Sequence, residues 1–154
     1  MAEKIINQFK MEFLSRSENE SFARQAVSFF TAQLDPELSE LTDIRTAVSE
    51  AVTNAVVHGY RGTEGVISLR VCYTDAGRVK ITVKDSGCGI ADVEQAMQPL
   101  YTTDAAGECG GMGFTIMKSF MDGIRVKSAP GKGTSVTMIK RIRCAARPRA
   151  AAIS

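Results

Sequence analysis

No stretch of the sequence approaches the roughly 18 consecutive apolar residues of a membrane-spanning helix, so no membrane association is expected. Residues 1–6 lack the basic segment followed by an apolar one that marks a secretion signal, and a cytoplasmic location is expected. Charge of one sign is scarce: the formal net charge is +2, and the one dense basic cluster lies in the tail, which gives no reason to expect direct nucleic-acid binding. Cys72, Cys88, Cys109 and Cys144 show no CxxC spacing, and the single histidine, His58, completes no zinc pattern. Free thiols in a reducing compartment are therefore expected. There is no internal repeat. What remains is a chain of 154 residues, 44% apolar and 23% charged, the composition of one soluble globular domain. That domain is expected over residues 1–143, with an Ala- and Arg-rich tail at 144–154 expected to be disordered.

Taken in order, residues 4–14 alternate loosely, with Ile5, Phe9, Met11 and Phe13 on one side, and predict a strand. Ser17-Glu-Asn-Glu20 has capping-box spacing and opens a helix with Phe22, Ala26, Phe29, Phe30 and Leu34 as its apolar stripe. Glu20 and Arg24 stand one turn apart and suit an ion pair. Asp35-Pro36 predicts an N-cap and first turn for the next helix, which runs through Leu38, Leu41 and Ile44 as far as Gly59. Residues 66–74 and 78–84 predict a hairpin. Its second strand alternates Val79, Ile81 and Val83 with Arg78, Lys80, Thr82 and Lys84, which means one packed face and one wet face. A short helix at 92–97, a long polar connection, a helix at 113–121 and a last hairpin of residues 124–128 and 134–143 complete the order. This predicts an α/β (α+β) two-layer sandwich, with three main helices on one face of a mixed, largely antiparallel sheet.

Three segments carry chemistry. On the second helix Glu50, Asn54 and His58 recur every four residues beside Val48, Ala51, Val52 and Ala55, forming one polar ridge at the edge of a buried side. A solvated ridge ended by Gly59 is the plain alternative. Asp85-Ser-Gly87-Cys-Gly89 stops a strand where glycines let backbone bend and a ligand come close, and its carboxylate can accept a hydrogen bond from an exocyclic amine. Gly110-Gly111-Met-Gly113-Phe114 opens a helix whose free amides and dipole favour phosphate oxygens. Between Asp85 and Met117 there is no Lys or Arg, while Asp92, Glu94, Asp104 and Glu108 are present. Neutralising a bound phosphate is then left to a divalent ion and helix-start amides, unless a partner or second subunit lends a cation.

The order of these segments, E-x-x-x-N, D-x-G-x-G, a long connection and G-x-G, resembles the ATP-binding domain of the GHKL superfamily, with its Bergerat fold. Pro130-Gly-Lys-Gly133-Thr134 is similar to that superfamily's final glycine segment. Ser49-Glu-Ala-Val-Thr-Asn54-Ala-Val-Val-His58-Gly-Tyr60, Gly111-Met-Gly-Phe-Thr-Ile-Met117 and Arg16-Ser-Glu-Asn-Glu-Ser-Phe-Ala23 resemble the anti-sigma F factors of endospore-forming bacteria. The resemblance implies a homodimeric serine kinase that sequesters a sporulation sigma factor and phosphorylates, with ATP and Mg²⁺, an anti-anti-sigma protein. It implies Glu50 as general base, Asn54 as Mg²⁺ ligand and Asp85 as reader of the adenine amine, with Gly87, Gly89, Gly111 and Gly113 permitting close approach. Thr102, Thr103, Phe114 and Thr134 join the nucleotide site on the same ground. A stress-response-type anti-sigma kinase, or a module that only holds ATP while sequestering sigma factor, are the alternative readings. Arg16, Glu20 and Arg24 on the first helix are candidates to contact the sigma factor, with a solvated face as the plain reading. Phe9, Met11 and Phe13 hint at a dimer contact, with simple core as the alternative.

Overall fold

The computed structural model describes residues 2–98 and 113–143. Strands β1 (Ile5–Leu14), β2 (Val66–Thr74), β3 (Arg78–Asp85), β4 (Gly123–Ser128) and β5 (Thr134–Arg141) form one five-stranded sheet in the order β1-β2-β3-β5-β4. Every neighbouring pair is antiparallel, so among the described residues the sheet is not mixed. The strict alternation of β3 decides its orientation. Val79, Ile81 and Val83 are buried, whereas Arg78, Lys80 and Lys84 are exposed.

Helices α1 (Glu18–Thr31), α2 (Leu38–Asn54) and α4 (Gly113–Phe120) cover the apolar face, and α3 (Val93–Ala96) is a single turn. α2 lies in the middle, packed against both α1 and α4. Its Ile44, Val48 and Val52 are fully buried in one cluster with Leu69, Ile81 and Met138 of the sheet. Each such side chain contributes roughly 1.5–3 kcal/mol by leaving water, so the helix that carries the polar ridge is also the best anchored. Lys140 reaches from β5 to Asp43 of α2 at 3.0 Å and to the carbonyl of Phe120 at 2.6 Å, where a cation suits the end of α4.

The helix starts differ from the sequence expectation. Ser17 is itself helical (φ −60°, ψ −33°) and makes no side-chain cap bond. Its expected partner Glu20 instead pairs with Arg24 at 3.2 Å and accepts from the Ser49 hydroxyl at 2.8 Å. Asp35 sits in the left-handed region (φ 53°) and closes a 3₁₀ turn at Ala32–Leu34 rather than capping α2. The reciprocal cap belongs to Glu37 and Glu40, a pair obscured by the stronger Asp-Pro signal beside it. The apolar stripe of α1 is also rotated. Ala23 and Val27 are buried, Phe30 packs on Phe9 and Tyr73, and Phe22 and Phe29 are 57% and 77% exposed. Phe13 is core, with the half-buried Phe9 and Met11 packed against it.

Glu40 holds two backbone donors at once, Glu37 N–H and Arg143 N–H, each at 2.9 Å. Glu40→Ala is expected to cost about 1–3 kcal/mol by removing the cap and orphaning the second donor. Denaturant unfolding measures this, with an unchanged midpoint counting against it.

Candidate functional site

α2 does not stop at Asn54. Ala55–Gly59 continue as one π-helical turn, in which Tyr60 N–H bonds the Ala55 carbonyl at 3.1 Å. The wider turn carries His58 off the straight ridge that a regular helix spacing predicts, and such turns gather at functional sites. Gly59 is not a left-handed C-cap; the left-handed residues are Arg61 (φ 50°) and Gly62 (φ 85°). Gly59 is needed for proximity, since a Cβ there would stand 2.9 Å from a carboxylate oxygen of Asp85.

The end of β3 is held on that turn. Cys88 N–H donates to the Gly59 carbonyl at 2.8 Å, and the Cys88 thiol donates to the His58 carbonyl at 3.1 Å. A Cβ on Gly87 would lie 2.0 Å from the Gly59 oxygen, and one on Gly89 (φ 75°) 2.0 Å from the Ala129 oxygen. The neighbours that forbid a side chain at these two glycines are thus protein backbone. Gly133, from the final glycine segment, is pressed against the Asp85 backbone in the same way.

Between these elements lies a cavity of about 430 Å³ lined by Asn54, Asp85, Gly89, Gly113, Phe114 and Thr134, among others. Four segments distant in sequence therefore converge. Asn54 faces the start of α4: a Cβ on Gly113 would lie 3.1 Å from both polar atoms of the Asn54 amide. The helix start brings unpaired amides and the positive end of its dipole to the same place. Asp85 lies further along, paired in register with Thr134, and its Oδ1 accepts the Gly87 N–H at 2.9 Å. Thr134 shares a hydrogen bond with Ser128 at 2.9 Å between their hydroxyls. Ile90, Ala91 and Ala96 add an apolar wall suited to a flat ring, contributed by the loop after β3 and by α3. Among the described residues, no group of His, Cys, Asp and Glu could cage a metal ion. A hard cation brought by phosphates, with the Asn54 amide oxygen as one ligand, fits this donor set. Thr102, Thr103, Gly111 and Cys109 lie outside the described residues.

Glu50 stands one turn before Asn54 and outside the cavity lining. Burial raises its pKa first, and the neighbouring Glu20 carboxylate raises it further. Sequence reasoning gave Glu20 a cap, an ion pair and a candidate sigma-factor contact; its place beside Glu50 needed the packing of α1 on α2. The other miss is Arg61, whose side chain lines the cavity while its Nε donates to the His58 carbonyl at 3.4 Å. Arg61 thus puts a basic residue on the cavity from before Asp85, while the stretch from Asp85 to Met117 carries none. Its one signal was position, three residues past the ridge.

Burial raises the pKa of Asp85, against the opposing pull of backbone N–H groups from Gly87 and Thr134. In the window between the ordinary and raised values the folded form holds the proton that the unfolded form releases, so stability falls as pH rises through it. Asp85→Asn is expected to leave the melting temperature of the unliganded protein unchanged or raised at neutral pH and to flatten this dependence. A clear loss of stability at neutral pH, by calorimetry, would count against the burial argument.

Residues 13–140 match the family model described as the histidine kinase-like ATPase domain. The chain is 58% identical over 137 residues to an anti-sigma F factor of Pasteuria penetrans, covering 88% of this chain and 91% of that one. It is 53% identical to an anti-sigma F factor of Geobacillus kaustophilus, covering 88% and 93%. Among solved structures, the RsbU and RsbW domains of Rv1364c from Mycobacterium tuberculosis superpose with TM-score 0.65 at 21% identity, covering 93% of this chain and 33% of that chain. Full-length ShkA in complex with AMPPNP gives TM-score 0.55 at 22% identity, covering 86% and 32%. These two share the fold. With the sheet order, the convergent cavity and relatives matched over nearly their whole length, the chain belongs to the anti-sigma F factor family of histidine kinase-like ATPase domains.

Proposed function

We propose that the protein is a cytoplasmic anti-sigma factor that binds and inhibits a sporulation sigma factor and, as an ATP-dependent serine kinase, inactivates its anti-anti-sigma antagonist. The observation that carries this is the convergence of Asn54, the Gly113 helix start and Asp85 on one cavity, with Glu50 one turn from Asn54. In the proposed reaction the adenine amine donates to Asp85 and the ring lies against Ile90 and Ala96. The phosphates meet the amides that open α4, beside Phe114. Mg²⁺, when bound, would neutralise phosphate charge, with Asn54 holding it. Glu50 takes the proton from the substrate serine as its oxygen bonds to the terminal phosphorus and the bond to the bridging oxygen breaks, releasing ADP. By resemblance Thr102, Thr103 and Gly111 complete the nucleotide site, and Thr134 steadies the adenine end. Adenine binding alone needs neither Glu50 nor Asn54, which favours the kinase over a module that only holds the nucleotide. Arg16 just before α1, with Glu20 and the half-buried Arg24 on it, is the proposed sigma-factor contact.

Glu50→Gln is expected to keep ATP binding and lower phosphoryl transfer by about 10²-fold or more, since an amide keeps the shape without the basicity. Transfer of radiolabel from ATP to an anti-anti-sigma protein measures it, and near-wild-type transfer assigns the base elsewhere. Because protonated Glu50 cannot accept, the rate should climb with pH through a value above the ordinary 4.5, and Glu20→Gln should move that limb to lower pH.

We also propose a homodimer, on the resemblance alone. Sedimentation at micromolar protein with ATP present should give twice the chain mass of 16.6 kDa, and a lone monomer removes the proposal.

A further inference from the structure

The sheet has a second face. Helices cover the side that carries Val79, Ile81 and Val83, and among the described residues no element covers the other. There Lys10, Arg70, Lys80, Lys84, Arg125 and Lys127 are all exposed, and none of them forms an ion pair with a described residue. Among the described residues the carboxylates on this face are Glu3 and Glu12, and Glu3 is already held by Arg78 at 3.1 Å and Arg141 at 2.9 Å. Lys10 stands directly opposite Arg70 across the β1–β2 ladder, and like charges in that position weaken a sheet. On a chain whose formal net charge is only +2, this gathers cation on one surface at a cost in stability. A trough of about 920 Å³ runs over the same face, with Cys72 and Ile139 offering an apolar floor and Arg78, Lys80, Arg125 and Lys127 along it.

We infer that this face docks an acidic segment of a partner protein, its carboxylates on the cationic rim and its aliphatic side chains on the floor. The chemistry separates this occupant from others. Sheet faces hold single-stranded nucleic acid by stacking bases on aromatic rings, and no aromatic residue among the described ones lines the trough. A bilayer of anionic headgroups matches the rim but leaves the recessed floor without a partner. A second copy stacked face to face would set the unpaired cations against themselves. The surface lies across the sheet from the nucleotide cavity, so the inference stands apart from the kinase reading.

The test is fluorescence anisotropy of the full chain with a labelled peptide of repeated Glu-Glu-Leu, beside its Gln-Gln-Leu counterpart. Oligothymidylate of equal length and phosphatidylserine vesicles form the other arms. The acidic peptide is expected to bind, to weaken with added salt, and to lose about tenfold or more in affinity in the double variant Lys80→Glu with Arg125→Glu. Calorimetric melting of the variant, expected to match the parent, shows that the fold is kept. Lys84→Glu with Lys127→Glu serves as a second variant if the first is destabilised. No binding of the acidic peptide, equal binding of the glutamine peptide, indifference to both charge reversals, or tighter capture of the oligonucleotide or vesicles each overturns the inference. Charge-reversed chains that dimerise more tightly than the parent would overturn it too, by making the face a self-association surface.

Discussion

The carbonyl of Gly59 carries more of the arrangement than any side chain. It accepts the Cys88 N–H, it excludes a side chain at Gly87, and its own residue lies against the Asp85 carboxylate. Two chain segments that end in opposite layers, a helix and a strand, are thereby fixed at backbone contact distance. A backbone-to-backbone seam has no rotamers to average over, so the offset between Asn54 and Asp85 is set by covalent geometry and hydrogen bonding. The π turn supplies the extra length that brings the helix end to the strand, and the glycines remove the atoms that would hold the two apart. Everything the cavity offers a ligand is measured from that seam.

Much of this was legible in the sequence, for reasons that can be named. The alternation in β3 and the apolar spacing of α2 are dictated by burial against one partner, and a single-chain pattern records them directly. Asn54 and Asp85 were visible because a polar group beside small apolar neighbours, or at an abrupt strand end, is costly without a purpose. Local competition hid other features. Asp35-Pro36 carries a strong helix-start signal, yet its backbone turns left-handed and the cap is made two residues later by Glu37 and Glu40. Phe22 and Phe29 satisfy a helical stripe on paper, while the actual contact with α2 selects the smaller Ala23 and Val27. Arg61 and Glu20 escaped for a different reason: each matters to the site only through tertiary proximity, which no spacing rule encodes.

The glycines deserve a separate physical reading. A motif such as D-x-G-x-G is usually taken as room left for a ligand, and here the room is filled by the chain itself at Gly87, Gly89 and Gly133. The ligand benefits indirectly, because the loops are drawn inward until Asp85 and Thr134 stand side by side. Substitution at these glycines would thus disturb the protein before any nucleotide arrived, and a binding defect there would report on loop docking as much as on contact.

Glu40 joins the first turn of α2 to Arg143, the last residue of the described fold, through its two carboxylate oxygens. The same helix ends in the seam at Gly59. Mechanically, α2 is a beam pinned at both ends, and one of the pins is the backbone just past β5. A displacement of the backbone at Arg143 is therefore felt first at the start of the beam that bears Glu50, which makes that position a lever on the site.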